Sequence, residues 1–108
     1  MADSLLKVKC YLRLLTDKDV LIQQKKALLS HSSDSQVEAI TVLAQNTQKK
    51  DLPITNKEKK KLSKYKKILK KLSNTKIAKA TKKRLIKKHY KIILIVILIL
   101  KELLEHLF

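Results

Sequence analysis

Glycine is absent from this chain of 108 residues, and proline occurs once, at Pro53. Tight hairpins need residues at positive φ, which glycine adopts with the least strain. A sheet protein without glycine would have few ways to reverse its strands, so the sequence predicts an all-α fold. Hydrophobic residues make up 44% of the chain, enough for the core of one domain at this length. Aromatics are only 4%, so that core should be aliphatic.

The apolar spacing divides the chain into segments. Leu5, Leu6, Val8, Leu12 and Leu15 share one face and predict a first helix over residues 4–15. Thr16, Asp17 and Asp19 offer N-caps for a second, which carries Val20, Leu21, Ile22, Leu28 and Leu29. After a polar break, Ser35 and Glu38 have capping-box spacing. They should open a third helix with Val37, Ile40, Leu43, Ala44 and Thr47 on one stripe. These three helices predict an N-terminal helical module over residues 1–50. Pro53 makes residues 51–55 a linker, since it cannot continue a helix before it. Thr55 and Glu58 form a second capping box. It opens a Lys-rich amphipathic helix whose apolar positions are Leu62, Tyr65, Ile68, Leu69 and Leu72. Ser73, Asn74 and Thr75 interrupt it, and a long last helix should run from about Lys76 or Thr81 onward. The basic helical region is thus 56–91, and the apolar, then amphipathic, C-terminal helix is 92–108.

Formal net charge is +17, and it is concentrated. Residues 57–91 hold 17 Lys or Arg against one acid, Glu58. Such a field calls for a polyanion or an anionic membrane surface. The candidate phosphate-binding residues are Lys59, Lys60, Lys64, Lys66, Lys67, Lys70, Lys71, Lys82, Lys83, Arg84, Lys87 and Lys88. Arginine occurs only at Arg13 and Arg84. Lysine is a point charge, whereas arginine carries the planar fork that reads guanine edges, so the bias favours backbone contact without sequence readout. Stacking platforms for single strands are nearly missing, with only Tyr65 and Tyr90 nearby. Double-stranded DNA is the expected partner. A solvated helix face or a nuclear-import signal is the plainer alternative.

Directly after this segment come Ile92, Ile93, Leu94, Ile95, Val96, Ile97, Leu98, Ile99 and Leu100, with no polar residue among them. A helix apolar on every side must be covered on every side. Nine residues rise about 13.5 Å, under half of a hydrocarbon core of roughly 30 Å. A longer span would immerse Lys101, Glu102 and Glu105, each at a cost on the order of 2.5 to 3.5 kcal/mol. Three environments remain open: the centre of the fold wrapped by the N-terminal module, a self-association surface with another copy or a capsid protein, or insertion into an anionic membrane. The β-branched content also permits a strand in aggregates. Beyond Leu100, Leu103, Leu104, Leu107 and Phe108 return to amphipathic spacing.

Cys10 is alone, which excludes an internal disulfide. Its apolar neighbours predict a small buried hydrophobe, with an intermolecular bridge as the alternative. The start, MADSLLKVK, lacks the pattern of a signal peptide, so a cytosolic or nuclear protein is expected rather than a secreted one. His31, His89 and His106 are too far apart for a local ligand motif, and no phosphate loop or H-E-x-x-H is present. Glu102 and Glu105 share a face and read as solvated. No catalytic, cofactor or metal site is expected.

The stretch NTQKKDLPITNKEKKKLSKYKKILKKLSN resembles a motif of the small basic PX-type virion proteins of Polinton (Maverick) elements and adintoviruses. Asn46, Leu52, Pro53, Ile54 and Thr55 match its first part; Leu62, Tyr65, Lys66, Lys67, Leu69 and Leu72 match its Leu-x-x-Tyr-Lys-Lys-x-Leu-x-x-Leu part. LLKVKC and QQKKALLSHSS are similar to the family's N-terminal portion. The resemblance implies a virion protein acting in the particle and the host nucleus, comparable to the basic core or membrane-active proteins of adenovirus-like particles. Relatives carry Gly-Gly before an apolar tail. Here Lys87, Lys88, His89, Tyr90 and Lys91 stand in its place, which predicts one continuous helix rather than a hinge.

Overall fold

The computed structural model describes residues 8–49 and 53–101. Among them the chain forms seven α-helices and no strand: α1 (Lys9–Thr16), α2 (Ile22–Ser30), α3 (Asp34–Asn46), α4 (Asn56–Lys64), α5 (Lys66–Ser73), α6 (Lys79–Lys88) and α7 (Tyr90–Ile99). None of the described residues has positive φ, so a glycine-free chain builds every described turn without strain. Two helices end on extended residues, Asp17 (φ −72°, ψ 120°) after α1 and Asn74 (φ −78°, ψ 113°) after α5.

Local polar chemistry sets the boundaries. Asp17 Oδ1 accepts the Asp19 amide at 2.8 Å, closing a turn rather than capping a helix. The second helix begins only at Ile22, where Gln24 Oε1 accepts the Leu21 amide at 3.1 Å. The helix α3 starts two residues earlier than the sequence predicts. Ser33, not Ser35, is its cap: Ser33 Oγ accepts the Gln36 amide and Gln36 Oε1 accepts the Ser33 amide at 2.8 Å. The capping box at α4 is as expected, with Thr55 Oγ1 accepting from the Glu58 amide and Glu58 Oε1 accepting from the Thr55 amide at 3.0 Å.

Both long helices expected in the basic half are broken. At Tyr65 (φ −105°, ψ 13°) the amide turns back to the Leu62 carbonyl three residues earlier, a tightened turn that separates α4 from α5. At His89 (φ −111°, ψ 35°) α6 gives way to α7. The continuous helix expected through Lys87, Lys88, His89, Tyr90 and Lys91 is therefore corrected. The break falls at a β-region-leaning φ that costs a histidine little and lets α7 leave the axis of α6.

The centre of the molecule is α3. Seven of its thirteen residues are buried, Val37, Ala39, Ile40, Thr41, Val42, Leu43 and Ala44, whereas α7 buries only Ile93, Leu94, Val96 and Ile97 within its span. Against α3 lie α5 and α6; α2 packs on α6 and α7, and α1 on α7 and α2. Gln45 Nε2 donates to the Ser73 carbonyl at 3.2 Å and Gln48 Nε2 to Ser73 Oγ at 2.7 Å, so α3 also satisfies the end of α5. Where α3, α5 and α7 meet, Ile40, Leu43, Leu72 and Ile97 enclose a void of about 10 Å³, room for no more than one water. The core is close-packed and aliphatic. Its radius of gyration of 12.7 Å matches the ~13 Å of a compact domain near this length.

Several expected core positions lie outside. Leu21 is 66% exposed and Ile22 58%, because the delayed start of α2 turns them away. Cys10 is exposed as well. On α1 the buried face is Val8, Tyr11, Leu12 and Leu15, and a residue two positions after Val8 falls on the opposite side. Tyr11 is the aromatic within the core: its hydroxyl donates to Ser32 Oγ at 2.9 Å, and Ser32 passes its own proton to the Leu29 carbonyl at 2.7 Å. Leu5, Leu6, Leu52, Leu103, Leu104, Leu107 and Phe108 lie outside the described residues, as do Glu102 and Glu105.

Candidate nucleic-acid interface

Most of the basic residues sit on α4, α5 and α6, of which α5 and α6 pack against α3 and against each other. Apolar positions alternate with lysine at helical spacing, so burying Leu62, Leu69, Leu72 and Ile86 turns the intervening cations outward. Of the predicted set, Lys59, Lys60, Lys64, Lys66, Lys67, Lys70, Lys71, Arg84, Lys87 and Lys88 are all exposed. Lys57, Lys61, Lys76, Lys79 and Lys91 join them. Glu58, the one acid of this segment, is occupied by its cap. Hydrogen bonds from the Thr55 amide and hydroxyl hold its carboxyl below the usual range, so it stays charged without screening the surface outside the first turn.

Two predicted contacts are spent elsewhere. Lys82 is 4% exposed and donates from Nζ to Thr41 Oγ1 at 2.8 Å, while Thr41 donates to the Val37 carbonyl. Its place beside Ile86 on the inner face of α6, against α3, explains the burial, which lowers its pKa from the ordinary lysine value, with repulsion from Lys79 adding to the effect. Lys83 pairs with Asp34 at 2.8 Å, in the first turn of α3, where a carboxylate also meets the positive helix end. That hydrogen bond, then the charge of Lys83, lowers the Asp34 pKa.

The exposed cations form two stripes along α4 and α5. Lys60 and Lys64 on α4 and Lys67 and Lys71 on α5 have i, i+4 spacing within each helix and are exposed. Lys59, Ser63, Lys66 and Lys70 make a parallel stripe that instead lines a cleft of about 410 Å³. Opposite them stand Thr47, Gln48 and Lys49 at the end of α3, over a floor of Ile54, Leu62 and Leu69. The i, i+4 pattern of this second stripe is legible in the sequence. Lys49 and Gln48 are not predictable from it, since they reach the cleft only because α3 packs along α5.

Tyr90 is half-buried, with Lys26 Nζ 5.0 Å from its ring centroid, so a cation from α2 already covers the ring that a nucleobase would need. Among the described residues no helix is long and apolar enough to cross a membrane, and no three His, Cys, Asp or Glu side chains come together as a metal site. The apolar stretch is covered unevenly: Ile93, Leu94, Val96, Ile97 and Leu100 are buried, Ile92, Ile95 and Ile99 are half-buried, and Leu98 is 49% exposed.

No protein family, no curated protein and no solved structure matches the chain.

Proposed function

We propose that the protein is a non-enzymatic binder of double-stranded DNA that contacts the phosphate backbone without reading sequence, and that it serves as a basic core protein of a Polinton-like or adintovirus-like particle. The observation that carries this reading is that all basic residues between Lys57 and Lys91, most of them on α4, α5 and α6, are exposed except Lys82 and Lys83. Lysine on helical stripes can follow a duplex backbone, and each phosphate neutralised releases condensed counterions. In this reading residues 1–50 and the apolar helix serve as the body that presents the basic helices. The test is a titration of plasmid and of unrelated short duplexes across a range of salt. Log affinity should fall linearly with log salt and be nearly equal for all sequences. A salt-insensitive complex, or one strongly preferred sequence, would refute the proposal.

The second reading, a membrane-active or self-assembling virion protein, draws on Leu14, Leu21, Ile22 and Leu98, large apolar side chains left between 44% and 66% exposed. Anionic, dye-loaded vesicles mixed with the protein beside the plasmid discriminate the two. Leakage at concentrations where plasmid stays free would favour the membrane.

A further inference from the structure

The cleft between α3, α4 and α5 differs in kind from the outward lysine stripe. It is an open cleft, and its volume of about 410 Å³ falls in the range of small-molecule sites. Lys49, Lys59, Lys66 and Lys70 surround it, and no acid among the described residues lines it. Its floor, Ile54, Leu62 and Leu69, is aliphatic.

The remaining lining groups narrow the chemistry. Thr47 Oγ1 donates to the Ala44 carbonyl at 2.6 Å, and Ser63 Oγ to the Lys59 carbonyl at 3.1 Å. Gln48 Nε2 donates to Ser73 Oγ at 2.7 Å and to the Leu69 carbonyl at 3.5 Å. With their protons committed, these three side chains present acceptor oxygens to the cleft. A complementary ligand therefore brings several negative charges for the lysines, a flat or apolar body for the floor, and N–H or O–H donors for the acceptors. Phosphatidic acid lacks the donors, inorganic polyphosphate lacks the body, and a nucleotide carries phosphates, donors and a flat base together.

We propose that this cleft binds a nucleotide polyphosphate, with the phosphates among Lys59, Lys66 and Lys70, and the base or sugar over Ile54 and Leu62. The site is separate from the outward stripe and does not rest on the duplex-binding reading. The same chemistry could come from a free nucleotide or from a nucleotide unit of a single strand.

Isothermal titration calorimetry at physiological salt, with ATP, inorganic tripolyphosphate and adenosine as probes, tests it on two variants of equal charge. One carries Lys59→Gln, Lys66→Gln and Lys70→Gln; the other carries Lys60→Gln, Lys67→Gln and Lys71→Gln. All six side chains are exposed, and circular dichroism checks that both variants fold. ATP should bind one to one, about tenfold or more tighter than tripolyphosphate, and the first variant should lose about tenfold while the second stays within about threefold. Amide shifts at Ile54 and Ser63 should follow ATP alone or a short single strand as well, which identifies the source. Equal losses in both variants, or tripolyphosphate binding as tightly as ATP, would overturn the proposal. Duplex titration of the same variants keeps the two readings apart, since a protein that ignores duplex yet takes ATP in the cleft refutes only the first.

Discussion

A buried ammonium bonded to a hydroxyl rather than a carboxylate gives up hydration for little return. Lys82 is in that position, and Thr41 does not depend on it, because Thr41 already donates to the Val37 carbonyl. Lys82→Met keeps the unbranched stem and removes the charge, so it should raise stability at pH 7 by about 1 kcal/mol, seen as a higher Tm. The sign with pH follows from the lowered pKa. Below the ordinary value of 10.5 the unfolded chain holds the Lys82 proton more tightly than the folded one, so stability rises as pH climbs toward that value. Tyr11 acts oppositely: burial raises its pKa from 10.0, so stability is lost above pH 10 as the unfolded tyrosine ionises first. Tyr11 is common to the native protein and Lys82→Met, so its contribution cancels in their difference. As pH climbs toward 10.5 the urea midpoint of the native protein should gain on that of Lys82→Met; a native midpoint that instead falls relative to the variant would refute the lowered pKa.

Helix starts are where sequence pattern and tertiary packing can be separated. Ser33 and Ser35 have equal standing as caps by spacing, and Val37, Ile40 and Ala44 share one face with either start; the structure uses Ser33. Ser33→Ala should cost about 1 kcal/mol, and Ser35→Ala close to nothing, in urea unfolding. The reverse ranking would restore the Ser35 cap that the sequence alone suggests. Thr55→Ala should cost a similar amount, with Thr55→Ser recovering most of it, because a hydroxyl accepts the Glu58 amide in both. The breaks at Tyr65 and His89 have no such local signature. Neither proline nor glycine marks them, and the spacing of Leu62, Leu69 and Leu72 reads equally well as one helix.

Across the molecule, the basic helices are part of the core and should unfold with it. Their leucines meet α3, and Ile97 of the apolar helix is 1% exposed in the same body. Ile97→Ala should cost about 2–5 kcal/mol, against a total stability of about 5–15 kcal/mol for a domain. Trypsin offers a direct reading, since its target residues crowd α5 and α6. If these helices belong to the body, their cleavage should accelerate in Ile97→Ala in step with global unfolding. Rapid cleavage of α5 and α6 in the native protein, with α1–α3 left intact, would show a detachable basic arm instead.

The absence of glycine, the apolar periodicity and the crowding of lysine into one segment were enough to determine an all-helical, aliphatic and locally basic chain, because these properties act within a turn or two of helix. Which Ser caps α3, where the basic helices break, and which lysine is sacrificed to the interior were decided by tertiary structure. Lys82 and Lys83 are adjacent and chemically identical in the sequence. One is buried against Thr41 and the other reaches Asp34 at the surface, because a helix turns about 100° per residue and α3 occupies only one side of α6.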